Sequence, residues 1–109
     1  MGGEAEFTLT GTFTLKDAES IGPGCIATGG YNDIAPGTPV TVYGAAGDVV
    51  ATGALGTATR NALGGCDFDV TVEGVPKGQK FYKVEVSHRG TLQMSAEEAE
   101  RGEFAGSLG

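Results

Sequence analysis

The chain has 109 residues and a formal net charge of −7, which fits one small domain. Its 20 glycines exclude a helix-rich fold, because each interior glycine weakens a helix by about 1 kcal/mol relative to alanine. Fourteen acidic residues against seven Lys and Arg argue against phosphate-backbone binding, and one histidine with two cysteines leaves little material for a metal or catalytic site.

The first predicted element is a strand over residues 7–15. Its apolar residues share one parity and its threonines share the other, which is the period of a strand with one buried and one solvated face. Residues 16–37 have no sustained periodicity and contain several Gly and Pro turn signals. They therefore predict a long loop, of a length that is often functional or disordered.

The middle of the chain predicts a hairpin. Residues 39–43 form a second strand, Ala46–Asp48 supplies a tight turn, and residues 49–55 return as a third strand. Residues 56–65 are polar and rich in glycine, so they predict a loop.

Two further strands follow this loop. The fourth begins at Cys66 and is interrupted by Gly74–Gly78, and the fifth covers residues 81–87. The inward parity of the strands predicts the core. Its expected members are Phe7, Leu9, Phe13, Leu15, Val40, Val42, Phe68, Val70, Val72, Tyr82, Val84 and Val86.

The C-terminal segment predicts the one helix. Ser95–Glu98 is a capping box. In this motif the serine hydroxyl accepts from the third helical amide, and the glutamate side chain accepts from the backbone amide of the serine. Gly102 is the expected stop, which gives two or three helical turns. Residues 103–108 predict a last short strand through Phe104.

Short strands separated by Gly and Pro turns predict a sandwich or small barrel. We expect a mainly β fold, a Greek-key sandwich of the immunoglobulin or transthyretin type with about seven strands and one short C-terminal helix. Residues 1–6 are expected to be a disordered start, in which Met1–Gly3 looks like a remnant of recombinant expression. Residues 7–109 are expected to form a single domain.

Cys25 and Cys66 are the only cysteines, and they are too far apart in sequence for a CxxC motif. In a small secreted domain they predict one structural disulfide, whereas in a cytosolic protein they would be two reduced thiols. The disulfide is the favoured interpretation, and it places the domain outside the cytoplasm.

Several segments carry a resemblance to a family. Gly37–Val42 with Ala46–Gly53 looks like the opening hairpin of transthyretin-like sandwiches, which include carboxypeptidase-regulatory-like and Cna-B-like modules. Phe68–Gly78 followed by Phe81–Val86 is similar to their corner between two strands. With Val86–Gly90, the pattern resembles uncharacterised extracytoplasmic domains of actinobacterial secreted or membrane-anchored proteins.

The resemblance implies roles for a few residues. Tyr82 would anchor the corner where the chain crosses between sheets, with its hydroxyl bonded to backbone near Val75–Gly78, a segment in which Pro76 cannot donate to a ladder. Some Cna-B-like modules form a Lys–Asn bond, and Lys16 is placed for one. Residues 103–108 offer that lysine no Asn or Asp partner.

Two other features suggest chemistry but have simpler interpretations. His88 shares the inward parity of the fifth strand, so it is either a base or metal ligand, or an imidazole bonded to a loop carbonyl beside a solvated Arg89. Asp67 and Asp69 lie on one face of a strand, as in a glycosidase, although alternating acids usually serve solvation.

The long loop contains the remaining candidates. Asn32 and Asp33 offer oxygen ligands for calcium, with Asp17 and Glu19 as further donors, but the spacing matches no EF-hand and an Asx turn is the simpler interpretation. The candidate ligand-binding residues of the chain are therefore Tyr31, Asn32, Asp33, His88 and Arg89.

Three classes of function stay open from the sequence. We expect a non-enzymatic structural or protein-interaction module of a cell-envelope protein, without cofactor or metal, whose partner is another envelope protein or a cell-wall component. Nucleic-acid binding and membrane insertion by this segment are not expected, and any anchor or signal would lie upstream. The alternative is a small-ligand or carbohydrate-binding module, for which Tyr31, Tyr43 and Phe81 are the available aromatic platforms. An enzyme is the third class.

Overall fold

The structure is a computed structural model that describes residues 5–16, 21–22, 25–27 and 29–108. Most of the disordered start predicted for residues 1–6 lies outside the described residues. Asp17 and Glu19, the additional calcium donors, also lie outside them.

The fold is mainly β with one short helix, as the sequence predicts. Nine strands and one helix follow each other along the described chain. They are β1 (Glu6–Leu15), β2 (Ile21–Gly22), β3 (Ile26–Ala27), β4 (Pro39–Tyr43), β5 (Val49–Arg60), β6 (Cys66–Pro76), β7 (Phe81–Val86), β8 (Thr91–Ser95), α1 (Ala96–Glu100) and β9 (Phe104–Leu108). A single 3-10 turn, Gly29–Tyr31, lies between β3 and β4.

Seven of these strands form one sheet in the order β8-β7-β4-β5-β6-β1-β9, and β2 pairs with β3 in a separate two-stranded ladder. Neighbours in the large sheet are antiparallel except β1 and β9, which are parallel. β5 changes partner along its length, because its first half pairs with β4 and its second half with β6. The sheet curls until it is nearly closed into a barrel.

Strand β6 is longer than the sequence predicts. The interruption expected at Gly74–Gly78 is wrong for its first part, since the strand continues to Pro76 opposite Glu6 of β1. The ladder absorbs one extra residue between Val72 and Val75, where Gly74 has a φ of +72°. A glycine bulge therefore preserves the pairing and returns Val75 to the core.

The loop predicted for residues 56–65 is also partly wrong. β5 extends to Arg60, and its residues 58–60 pair with the first residues of β6. The register shift between Leu55 and Ala58 is an irregularity that breaks the alternation on which a strand prediction depends. Only residues 61–65 form the turn, which Asn61 organises by accepting the amides of Leu63 and Gly65.

The helix has the predicted capping box but is shorter than predicted. The Ser95 hydroxyl accepts from the Glu98 amide at 3.1 Å, and the Glu98 carboxylate accepts from the Ser95 amide at 3.0 Å. These bonds hold the pKa of Glu98 below its usual value. α1 ends after little more than one turn because Gly102, with a φ of +74°, directs the chain into β9.

The core agrees with the predicted parity. All of the expected inward residues are buried except Phe7, which is half-buried and meets the Tyr82 ring edge-on at 5.6 Å between centroids. The strand β8 supplies Met94 and β9 supplies Phe104, both buried. The strand β8 itself was not predicted from the sequence.

Candidate functional site

Four residues that are distant in sequence meet at one end of the sheet. We call Tyr31, Asp33, Ser87 and Arg89 the Arg89 cluster. The Asp33 carboxylate accepts from the Ser87 hydroxyl at 2.8 Å and from Arg89 Nε at 3.1 Å, and it also accepts from Arg89 Nη2. The guanidinium carbon lies 5.2 Å from the centre of the Tyr31 ring, within the range of a cation–π contact.

The Arg89 cluster is an ion pair at the surface. The hydrogen bond from Arg89 is the main cause that lowers the pKa of Asp33 to about 2, with the Ser87 hydroxyl adding to the effect and partial burial opposing it. Arg89 also donates to the Gly30 carbonyl. The cluster therefore fastens the predicted long loop to the turn that follows β7.

The hydrogen bond to a loop carbonyl that was expected of His88 is made by Arg89. β7 ends at Val86, and Ser87 takes a φ of +56°, so the inward parity expected of His88 does not continue and this residue is exposed. Arg89, the residue bonded to a loop carbonyl, is also exposed, as expected. The neighbouring Asn32 is exposed in the turn after Tyr31.

The same loop turns back into the core after Asp33. The Thr38 hydroxyl donates to the Asp33 carbonyl at 2.6 Å and accepts from the Ala35 amide at 3.0 Å. Ile34 between them is fully buried. The carboxylate and the carbonyl of Asp33 thus both accept hydrogen bonds from protein donors.

The two cysteines are bonded to each other. The sulfur atoms of Cys25 and Cys66 lie 2.08 Å apart, and both residues are buried. The bond joins the long loop to the first residue of β6, so it holds the middle of that loop while the Arg89 cluster holds a part nearer its end.

The chain leaves one half of the sheet for the other between β6 and β7. These two strands do not pair with each other, since β6 lies between β5 and β1 and β7 lies between β4 and β8. The Tyr82 ring is fully buried, and its hydroxyl donates to the Pro76 carbonyl at 2.5 Å. Burial raises the pKa of Tyr82 above its usual value.

Asp67, Asp69 and Lys16 were considered above as candidate reactive residues. Asp67 accepts from the Thr14 hydroxyl at 2.8 Å and from the Asn61 amide at 3.1 Å, while Asp69 is exposed. The backbone amide of Lys16 donates to the Leu108 carbonyl at 2.8 Å, which extends the β1–β9 pairing.

A cleft that sequence reasoning missed lies between the two end strands of the sheet. We call the gap between Thr91–Met94 of β8 and Phe104–Leu108 of β9 the β8–β9 cleft. Two cavities follow it, one of about 130 Å³ beside Arg89 and one of about 240 Å³ beside α1, and Leu92 and Phe104 line both. The segment TLQMS alternates between polar and apolar residues over five positions, a short strand signal that the sequence-based predictions missed.

Comparisons with known proteins assign the chain to no class of protein. Over the described ranges, no three His, Cys, Asp or Glu side chains are grouped to hold a metal ion. No helix in the described part of the chain is long and apolar enough to cross a bilayer. The domain is thus a mainly β, disulfide-bonded one with an open sheet edge. No family model, curated protein or solved structure matches it.

Proposed function

We propose that this chain is an extracytoplasmic β-sandwich module with a non-enzymatic role, a structural or protein-interaction part of a cell-envelope protein. The observation that carries the proposal is the buried Cys25–Cys66 disulfide. Structural disulfides persist in oxidising compartments and are rare in the cytosol. A small domain with a core of this size also gains much of its stability from such a bond.

The fold type that we propose is a Greek-key sandwich related to transthyretin-like modules. Two features support it. β5 exchanges its partner β4 for β6 halfway along, and the chain crosses from β6 to β7 at the corner where Tyr82 bonds Pro76. An experimental structure in which β8-β7-β4 and β6-β1-β9 pack face to face at about 10 Å would support this assignment, and a closed barrel would contradict it.

The experiment that tests the location is thiol trapping in the source cells. Cells are quenched in acid, free thiols are alkylated, and the mass of the domain is read from cytosolic and envelope or secreted fractions. We expect an unalkylated protein in the envelope or secreted fraction. A doubly alkylated protein in the cytosolic fraction would contradict the proposal, and alkylation after reduction is the control for reagent access.

A further inference from the structure

The two end strands of the sheet face each other without pairing. The Cα atoms of β8 and β9 stay more than 8 Å apart over nearly all of both strands, whereas paired strands lie about 4.8 Å apart. Both cavities of the β8–β9 cleft touch the two strands at once. The gap is therefore wider than one strand spacing, and β8 and β9 each keep one unpaired backbone edge along it.

The backbone of β9 presents hydrogen-bonding groups to this gap. The Leu108 carbonyl accepts from Lys16 and so points toward β1. Because the backbone groups of successive strand residues point to opposite sides, Phe104 and Gly106 also point toward β1. The amide and carbonyl groups of Ala105 and Ser107 then point into the cleft.

The same reasoning applies to β8. Ser87 donates to the Pro39 carbonyl and so points toward β4, whereas the Val86 carbonyl accepts from Arg89 on the side of β8. Val84 therefore bonds its partner Leu92 across the β7–β8 ladder. The amide and carbonyl groups of Thr91 and Gln93 are left pointing into the cleft.

The floor of the cleft is apolar and its α1 end is acidic. Phe13, Val84 and Phe104 lie beneath it, and Leu92 at its rim is 44% exposed. Four glutamates lie on α1 or just after it together with one arginine, Arg101, which pairs with Glu103, and two of the four, Glu98 and Glu103, line the cavity beside α1. The glutamates are Glu97, Glu98, Glu100 and Glu103. The cleft therefore suits an extended segment with alternating apolar side chains and a basic residue where it passes α1.

We propose that the β8–β9 cleft takes up such a segment of a partner protein as an added strand, which pairs with Thr91 and Gln93 on one side and with Ala105 and Ser107 on the other. This inference rests on the proposed function, because it names the surface by which an interaction module holds its partner. Added strands are bound through main-chain hydrogen bonds, while pockets for alternate side chains give specificity.

The test uses the oxidised, isotope-labelled protein and a synthetic probe peptide, acetyl-Lys-Thr-Val-Thr-Val-Thr-Gly-Ser-amide. We expect saturable binding below about 1 mM, with slowed hydrogen exchange at the amides of Thr91, Gln93, Ala105 and Ser107. A peptide N-methylated at both valines keeps the side chains and loses the amide donors along one of its two edges, so its affinity should fall at least about tenfold. A peptide with Glu in place of Lys should bind more weakly at low salt and equally at high salt.

A pair of protein variants locates the site. Leu92→Ser changes an exposed side chain of the cleft, and Val49→Ser changes one of similar exposure at the start of β5. We expect Leu92→Ser to weaken peptide binding at least about fivefold and Val49→Ser to leave it unchanged, with both proteins as folded as the parent by circular dichroism.

Three results would overturn the inference. They are no binding of the probe peptide at about 1 mM, equal binding of its N-methylated form, and a concentration-dependent dimer that Leu92→Ser abolishes, which would mean that a second copy fills the cleft. Failure of peptide binding in a protein whose cysteines are bonded in the source cells would overturn this inference alone. Reduced cysteines in those cells would overturn the proposed function instead.

Discussion

Two of the attachments that hold the long loop between β1 and β4 to the sheet differ in burial. Near the middle of the loop, Cys25 bonds Cys66, and both residues are buried. Nearer the end of the loop, Asp33 pairs with Arg89, and 37% and 29% of these two side chains are exposed to solvent. The ion pair has more individual bonds, yet water competes for each of them. The comparison indicates that burial and covalent closure, rather than the number of contacts, decide what the loop contributes to stability.

The largest expected effect comes from the disulfide. Replacing both cysteines, Cys25→Ala with Cys66→Ala, should lower the free energy of unfolding by about 2–5 kcal/mol. Urea denaturation followed by circular dichroism measures this change. Wild-type protein in reductant is the control that separates loss of the bond from loss of the buried sulfur. If the free energy of unfolding changes by less than about 1 kcal/mol in both the variant and the reduced protein, the disulfide does not stabilise the fold more than the ion pair does.

The next effect comes from the corner between β6 and β7. Tyr82→Phe should lower the free energy of unfolding by about 1 kcal/mol, because the half-buried Pro76 carbonyl loses the donor that the fully buried Tyr82 side chain supplies. Tyr43→Phe is the matched control, since the Tyr43 hydroxyl donates to Glu85 near the surface. An equal or larger loss in Tyr43→Phe would show that burial is not the deciding factor.

A small effect is expected at the exposed end of the loop. Asp33→Asn should lower Tm by less than about 4 °C, because an exposed ion pair adds little in water. Asp69→Asn, which changes an exposed aspartate on β6, is the control for the change in net charge. A decrease as large as that of the cysteine variant would contradict the comparison.

The smallest effect is the pH dependence of that ion pair. The pKa of Asp33 is lowered from 3.8 to about 2 in the folded state, so its contribution to stability is present above about pH 4 and is lost as the pH falls toward 2. The difference in stability between wild type and Asp33→Asn should therefore shrink over that interval. A difference that stays constant from pH 7 to pH 2 would show that this carboxylate does not stabilise the fold through its charge.

The sequence predicted those parts of the fold that obey a simple local period. β1 and β4 alternate strictly between apolar and polar residues, and the capping box at Ser95 defines the start of α1. Where a bulge shifts the alternation, as near Ala58 and Gly74, the predicted ends were wrong by several residues. A bulge is defined by the pairing of two residues with one residue of the neighbouring strand, so it cannot be predicted from the sequence of one strand alone.

The candidate sites also divide into those with a signal in the sequence and those that depend on distant segments. Cysteine count and chain size were enough to predict the Cys25–Cys66 pair, whereas the corner at Pro76 and Tyr82 was implied by a family resemblance and stays a prediction. The partner of Arg89 was not predictable, because Asp33 lies more than fifty residues away and only the positions of the loop and the turn after β7 bring them together. The β8–β9 cleft was missed for a related reason, since it exists between two strands that do not touch.

The sequence by itself determined that this protein is a small acidic β domain with an amphipathic strand pattern and one pair of cysteines. These properties follow from residue types and from periods of two, which act over a few neighbouring residues. Only the tertiary structure decided the order of the strands, the pairing of Arg89 with Asp33 and the gap between β8 and β9. Each of these depends on where distant segments pack, because backbone pairing in a sheet is available to any strand and burial of the whole core selects among the arrangements.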